Sequence, residues 1–281
     1  MIVDNSNEWY QEKKDILASS DLPYRYYKND ENIGALGNWN RCVELAQTDI
    51  ITFLHDDDFL LEGFSKFILN NVSKVKEFSF VNSNRMYFYG DIKSQEKKTK
   101  TAIVKIARFL THWVRKKLRK KYFRIETNTL ARILFQNQFG NGLGVLIYKE
   151  FFFEVDGFDE KYYIDGDYHL AIKLTFLKGR NYKSSDVTST IDVTLSLLTK
   201  EPFACAIPDK IMKESFISLT RFPLITKMFC YIAYKQDLLN IQSSTESSSK
   251  SFMVKNFLVK FFYQLLLHFL APLIIQKNRS L

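Results

Sequence analysis

Over residues 1–90 short apolar runs alternate with stretches of helical spacing. Ile2 and Val3 run into Asp4-Asn5-Ser6 and read as the end of a strand. Glu8 to Ala18 has helical spacing, and Asp21-Leu22-Pro23 ends it. Tyr24 to Lys28 alternates aromatic and basic side chains, as a short strand does. A loop rich in Asn and Gly follows, from Asn29 to Asn38, and Asn38 reads as the cap of a helix from Trp39 to Gln47 with Val43 and Ala46 inward. Ile50 to Leu54 has the β-branched and aromatic character of a buried strand. Leu61 to Val72 then reads as a helix and Phe78 to Val81 as a strand. This alternation predicts an α/β fold, a parallel sheet with helices on both faces. Such sheets bind ligands outside the carboxyl ends of their strands.

The pattern changes beyond residue 90. Ser94-Gln95-Glu96-Lys97-Lys98 reads as a surface loop. Ile103, Ile106, Ala107, Leu110, Val114 and Leu118 then recur at helical spacing with Lys105, Arg108, Arg115, Lys116 and Arg119 between them. This basic amphipathic stretch suits an anionic lipid surface, or a helix packed on the domain with its basic face in water. Gln138 to Gly144 is rich in Gly but lacks the Gly-Lys-Ser/Thr ending of a phosphate loop. Its glycines would let backbone approach a ligand closely, or supply positive φ. Gly144 to Tyr148 and Val187 to Leu198 read as strands, and Lys213 to Asn240 has helical patches. Ser243 to Ser251 reads as a polar linker, and Phe252 to Ile275 is strongly apolar. In that last stretch Asn256, Lys260, Gln264 and His268 recur every fourth position. A helix lying in a membrane interface or docked on a partner fits this better than a span, because Lys260 and His268 would be costly inside a bilayer. Packing on the chain's own core is the competing reading.

Net charge sharpens this picture. The chain carries +9, and Lys105 to Arg124 holds nine Lys or Arg and no acid. A local anionic partner is implied. Nucleic acid is not expected, since no helix-turn-helix, zinc finger or aromatic RNA-binding motif accompanies the charge. Cys42, Cys205 and Cys230 are far apart and in no metal-ligand spacing, as expected of reduced thiols in a cytoplasmic protein. The opening MIVDNSNEW has neither the basic flank nor the apolar core of a signal peptide.

The chemistry concentrates in TDIITFLHDDDFL, Thr48 to Leu60. Asp56, Asp57 and Asp58 place three adjacent carboxylates where a strand meets a loop. They repel one another, and a divalent cation would relieve the repulsion; oxygen ligands suit Mg2+ or Mn2+. A solvated turn would also account for three Asp taken alone. Asp4 ends another strand, so the predicted sheet brings two groups of carboxylates to one rim.

IVDNS, the loop Asn29-Asp30-Glu31-Asn32-Ile33-Gly34, GNWNRCVELAQ and IITFLHDDDFL resemble, in order and spacing, the family 2 glycosyltransferases of the GT-A fold. So do Gly144 to Tyr148, Val155-Asp156-Gly157-Phe158-Asp159-Glu160 and the run from Asp165 to Leu174. The resemblance covers roughly residues 1–180. It implies a mixed sheet with flanking helices, to which a helical C-terminal tail is added. Residues 1–90 would bind the nucleotide-sugar, 91–200 the acceptor, and 201–281 would form a helical, membrane-associated region.

Carried over by position, Asp4 would contact the nucleotide base. Asp57 would hold the metal and diphosphate, and Asp56 would lie near the ribose and phosphate. Asp167 would be the catalytic base on the acceptor hydroxyl. Asp159 would cap rather than catalyse. Three positions depart from the family pattern: His55 stands for the first Asp of the metal motif, Gly166 for the Glu before the base, and Asp156 for a Gly. The resemblance also places a strand and helix ahead of the position of Met1, so the chain reads as lacking them. Two functions follow as expectations. The first is an inverting transferase that moves a sugar from a nucleotide-sugar to a hydroxyl of a lipid-linked or surface polysaccharide, with Mg2+ or Mn2+, at the inner face of the membrane. The second is a truncated, inactive relative serving as a binding or scaffold protein.

Overall fold

Strand β1 (Ile2–Asp4) lies parallel to β2 (Tyr26–Lys28), with Asp4 opposite Lys28. These are the first elements of a computed structural model that describes residues 1–6, 23–88, 142–178, 180–192 and 223–245, with residues 15, 17–19, 21, 127–129, 133, 139, 213 and 215–217 between them. Most of the predicted helix from Glu8 to Ala18, the basic stretch from Ile103 to Leu118 and the apolar stretch from Phe252 to Ile275 lie outside the described residues.

Helix α1 (Gly34–Leu45) follows, then β3 (Ile50–Ile51), β4 (Phe59–Leu60), α2 (Phe64–Asn71) and β5 (Val81–Phe88). After them come β6 (Thr127–Thr129), β7 (Ile147–Tyr148), α3 (Lys149–Glu154), α4 (Gly166–Lys178), β8 (Arg180–Asp192) and α5 (Pro223–Thr245).

The α/β class stands, but the sheet is mixed where the alternation of elements predicts a parallel one. β3 pairs antiparallel with β7, Ile50 opposite Tyr148. β8 is the long central strand, parallel to β5 and antiparallel to β4 and β6. An isolated bridge from Val81 to Leu146 joins the two ladders. The antiparallel partners of β3 and β4 come from far along the chain, so no local periodicity announces them.

Two boundaries also move. α1 begins at Gly34 rather than Trp39, because Asn38 does not cap it. The Asn38 amide instead donates to the Val3 carbonyl at 3.3 Å and accepts from Asn29 at 2.9 Å, tying α1 to β1. β5 starts at Val81, where the apolar run from Phe78 ends. Its polar Asn82 and Ser83 are buried, and Ser83 hydrogen-bonds Thr188 of β8. A buried polar strand is held by such partners, not by apolar alternation.

The main core gathers Leu36 and Val43 of α1, Phe152 of α3, Tyr168 and Ile172 of α4 and Phe229 of α5 around Phe53 and Phe158. α5 therefore belongs to the same core as the helices of the first half. A second cluster packs Phe64 and Phe67 of α2 against Val81 and Leu146.

Asn40 stitches this core together across 118 residues of sequence. Its amide donates to the Phe158 carbonyl at 2.9 Å and accepts from the Phe158 N–H at 2.8 Å. Asn40→Ala would strip both groups of their partner. A loss of about 1–3 kcal/mol is expected, read as a lower urea midpoint at constant slope; an unchanged midpoint would refute the role.

Candidate active site

The stretch from Phe53 to Asp58 leaves β3 and turns before β4. Phe53 is buried and makes a parallel bridge to Leu143. Two residues later the His55 ring lies flat on Trp39 of α1, centroids 4.9 Å apart and planes within 5°. Trp39 in turn meets the edge of Phe158 at 5.2 Å. His55 is thus held by the helix that the GNWNRC segment forms.

From that position His55 Nδ1 hydrogen-bonds Asp58 Oδ2 at 3.1 Å, and Asp58 is buried. One ligand atom each of His55, Asp57 and Asp58 lies within 4.8 Å of the others. Burial, and next the charge of Asp58, push the Asp57 carboxyl above the usual carboxylate range. One imidazole nitrogen and two crowded carboxylates fit a divalent cation of the Mn2+ type. This candidate group contains Asp57, the ligand expected from the resemblance, together with His55, which departs from the family pattern, and Asp58. Asp56 is exposed and stands outside the group.

Asp167 sits in the first turn of α4. Its Oδ1 accepts from the Tyr168 N–H at 2.7 Å. The side chain keeps some exposure, yet the protein packed around it pushes the carboxyl up to about 6, against the opposing pull of that N–H, His55 and Arg85. His55, one member of that candidate group, is thus among the charges that act on Asp167. A carboxyl of that affinity is suited to take a proton near neutral pH.

The position before it explains one departure. A Cβ on Gly166 would lie 2.4 Å from Leu36 Cδ1, so α4 starts against α1 with no room for a side chain. Gly166→Ala is expected to lower stability by about 1–3 kcal/mol through overpacking. In a double-mutant cycle with Leu36→Ala the two losses should be less than additive; strict additivity would show that the contact is not the cause.

Another departure has a backbone cause. Asp156 has φ of 55° and Gly157 of 53°. Asp tolerates the left-handed region better than most side chains, so it can stand where the family pattern has Gly. Asp159 caps as expected, accepting from the Lys161 N–H at 3.0 Å. In the Gly-rich segment, Gly142 and Gly144 have φ of 77° and 66°, so conformation alone requires glycine at both.

Asp4 belongs to a different network, at the carboxyl end of β1. It is buried; Oδ2 accepts from the Tyr26 hydroxyl at 2.6 Å and Oδ1 from the Ser6 N–H at 2.8 Å. Burial and that bond to Asp4 push the Tyr26 phenol up to about 12. Lys28 Nζ lies 3.9 Å from Oδ2. Beside it, Asn5 donates to Asn32 at 2.9 Å and to the Gly34 carbonyl at 3.0 Å, and accepts from Asn29 at 2.9 Å. This asparagine lattice fixes the loop from Asn29 to Gly34 over β1. The sequence shows the asparagines but not that they bond one another.

Residues 2–141 match the sequence model of Glycosyl transferase family 2. No curated protein matches the chain. Among solved structures, S. aureus TarS 1–349 in complex with UDP-GlcNAc superposes with a TM-score of 0.56 at 12% identity, over 88% of this chain and 66% of that one. S. aureus TarS 1–349 superposes at 0.54 and 12% identity, over 97% and 77%. A longer S. aureus TarS structure gives 0.54 at 13% identity, over 89% of this chain and 38% of its own. The chain thus spans well under half of that longer protein. At such identities the likeness establishes the fold, a mixed α/β arrangement of the GT-A kind.

Proposed function

We propose that this chain, a member of the family 2 glycosyl transferases through its residues 2–141, moves a sugar from a nucleotide-sugar to an acceptor hydroxyl. The observation that carries this reading is the His55, Asp57 and Asp58 group, whose His55 is among the charges that act on Asp167. UDP-GlcNAc, the compound bound to the TarS neighbour, is the donor to try first.

His55, Asp57 and Asp58 would hold a divalent cation, which when bound supplies positive charge against a leaving diphosphate. Asp167 takes the proton of the acceptor hydroxyl as that oxygen attacks the anomeric carbon. The bond to the diphosphate breaks in the same displacement, which inverts the carbon. Asp4 and the asparagine lattice suit the nucleoside end, and Asp56 the ribose and phosphate. On this reading residues 1–90 serve the donor and 91–200 the acceptor. The basic stretch around Lys105 to Arg124 and the apolar one from Phe252 support a lipid-linked or surface glycan acceptor at the inner face of the membrane. Among the described residues no helix is long and apolar enough to cross a membrane.

Two of the grounds for the inactive-scaffold alternative are His55 and Gly166. His55 sits among the candidate ligands and Gly166 is fitted to Leu36, so neither departure favours it. Calorimetry of the full chain with UDP and UDP-GlcNAc, with and without Mn2+, tests the proposal. Mn2+-dependent binding is expected; a folded chain that binds neither would overturn transfer from this donor class.

A further inference from the structure

The turn from Val155 to Phe158 is tied to both helices that serve the candidate site. From α4, the helix whose first turn carries Asp167, Lys173 reaches across to it. Lys173 Nζ donates to the Val155 carbonyl at 2.5 Å and to the Gly157 carbonyl at 2.8 Å. An ammonium has three donors and no fixed fork, so one Nζ can serve two carbonyls that face different ways. From α1, Asn40 holds both backbone groups of Phe158. The N–H groups of Asp156 and Gly157 go to the Phe153 and Phe152 carbonyls at 3.0 and 2.9 Å. The left-handed turn is therefore closed on α3 by its N–H groups and on α4 by its carbonyls.

That turn sets down one aromatic ring. Phe158 is buried, and its ring meets Trp39 edge-on at 5.2 Å and Phe53 at 5.4 Å. Trp39 carries the His55 ring on its face, and Phe53 stands two residues before His55 in the chain. One ring thus backs His55 along two routes, through the indole beneath it and through the strand that leads to it. Close-packed rings leave no slack to absorb a shift at Phe158.

We propose that Lys173 is a positioning residue for the transfer reaction: through the Val155 and Gly157 carbonyls it pins Phe158 against Trp39 and Phe53, and so holds the His55 ring in a fixed relation to the helix that bears Asp167. The inference rests on the transferase reading, so its test does not depend on turnover.

The experiment compares the full chain with Lys173→Met at one fixed pH. Proton NMR follows the carbon-bound ring protons of the four histidines, with His55 identified by loss of its signals in His55→Gln. A ring lying flat on an indole has these protons displaced upfield by the indole ring current. Calorimetry measures Mn2+ affinity without nucleotide, and circular dichroism shows that each variant is folded. In Lys173→Met the His55 signals should move downfield, toward the position of an unstacked histidine. Mn2+ should bind about tenfold more weakly or worse, as when a group that orients a metal ligand is lost.

Unmoved His55 signals in a folded Lys173→Met would make Lys173 a merely structural tie and overturn the proposal. So would a Mn2+ affinity equal to the parent's. If Lys173→Met does not fold, Lys173→Gln takes its place, since its shorter amide cannot serve both carbonyls; parent-like His55 signals there would overturn the proposal. A parent that binds no Mn2+ would count against the cation site instead, and the His55 signals would then decide on Lys173 alone.

Discussion

Asp167→Asn is expected to lower turnover by a factor on the order of 10²–10⁴ while leaving Mn2+-dependent binding of UDP intact. The substitution keeps the shape and the hydrogen bond from the Tyr168 N–H but removes the proton acceptor. The parent's turnover should rise with pH and level off above about 6, where Asp167 is ionised. Stability should move the other way. A carboxyl raised to about 6 in the folded chain, against about 3.9 in the unfolded one, is a partly buried, desolvated charge that the unfolded chain holds in water. Its contribution is neutral below the unfolded value and grows unfavourable as pH rises to the folded one. Above pH 6 the Asn variant should therefore melt no lower than the parent, and higher if the packing is kept. Steady-state rates and thermal melts from pH 5 to 8 on both proteins check this. An Asn variant that turns over at the parent's rate would remove Asp167 from the chemistry.

The second large effect concerns the cation. Asp57→Ala is expected to weaken Mn2+-dependent UDP binding by about 100-fold or more, because a candidate ligand goes and the crowded acids at the turn lose their arrangement. In the parent, Mn2+ should raise the melting temperature by binding only the folded chain; in Asp57→Ala that rise should vanish. The metal-free variant should melt no lower than the metal-free parent, since burial and the charge of Asp58 already disfavour the Asp57 carboxylate. Mn2+ should also outperform Mg2+ in the parent, because one of the three donors is an imidazole. Calorimetry and melts with each ion decide it. Equal stabilisation of the parent and Asp57→Ala by Mn2+ would place the ion elsewhere.

Local pattern in the sequence was enough for the α/β class, the carboxyl ends of β1 and β2 and the strand entering the HDDD turn, while the helix that begins at Gly166 followed from the family resemblance of Asp165 to Leu174. The first three depend on neighbours a few residues away: apolar runs, a proline stop, a change from alternation to helical spacing. The order of the motifs likewise carried the family, on which the expectations for Asp57 and Asp167 rest.

Tertiary structure alone decided the rest. Antiparallel pairing of β3 with β7 and of β4 with β8 joins segments about a hundred residues apart, a matter of chain path rather than periodicity. Asn38 reads as a cap, yet it and Asn40 each bond a distant backbone group, which only proximity in space can create. His55 looked like the loss of a ligand until the flat face of Trp39 and the bond to Asp58 showed where the ring is held. Arg85 lies beyond the strand predicted over Phe78 to Val81 and gave no sequence signal. Its guanidinium donates to two carbonyls that the chain reaches more than fifty residues later.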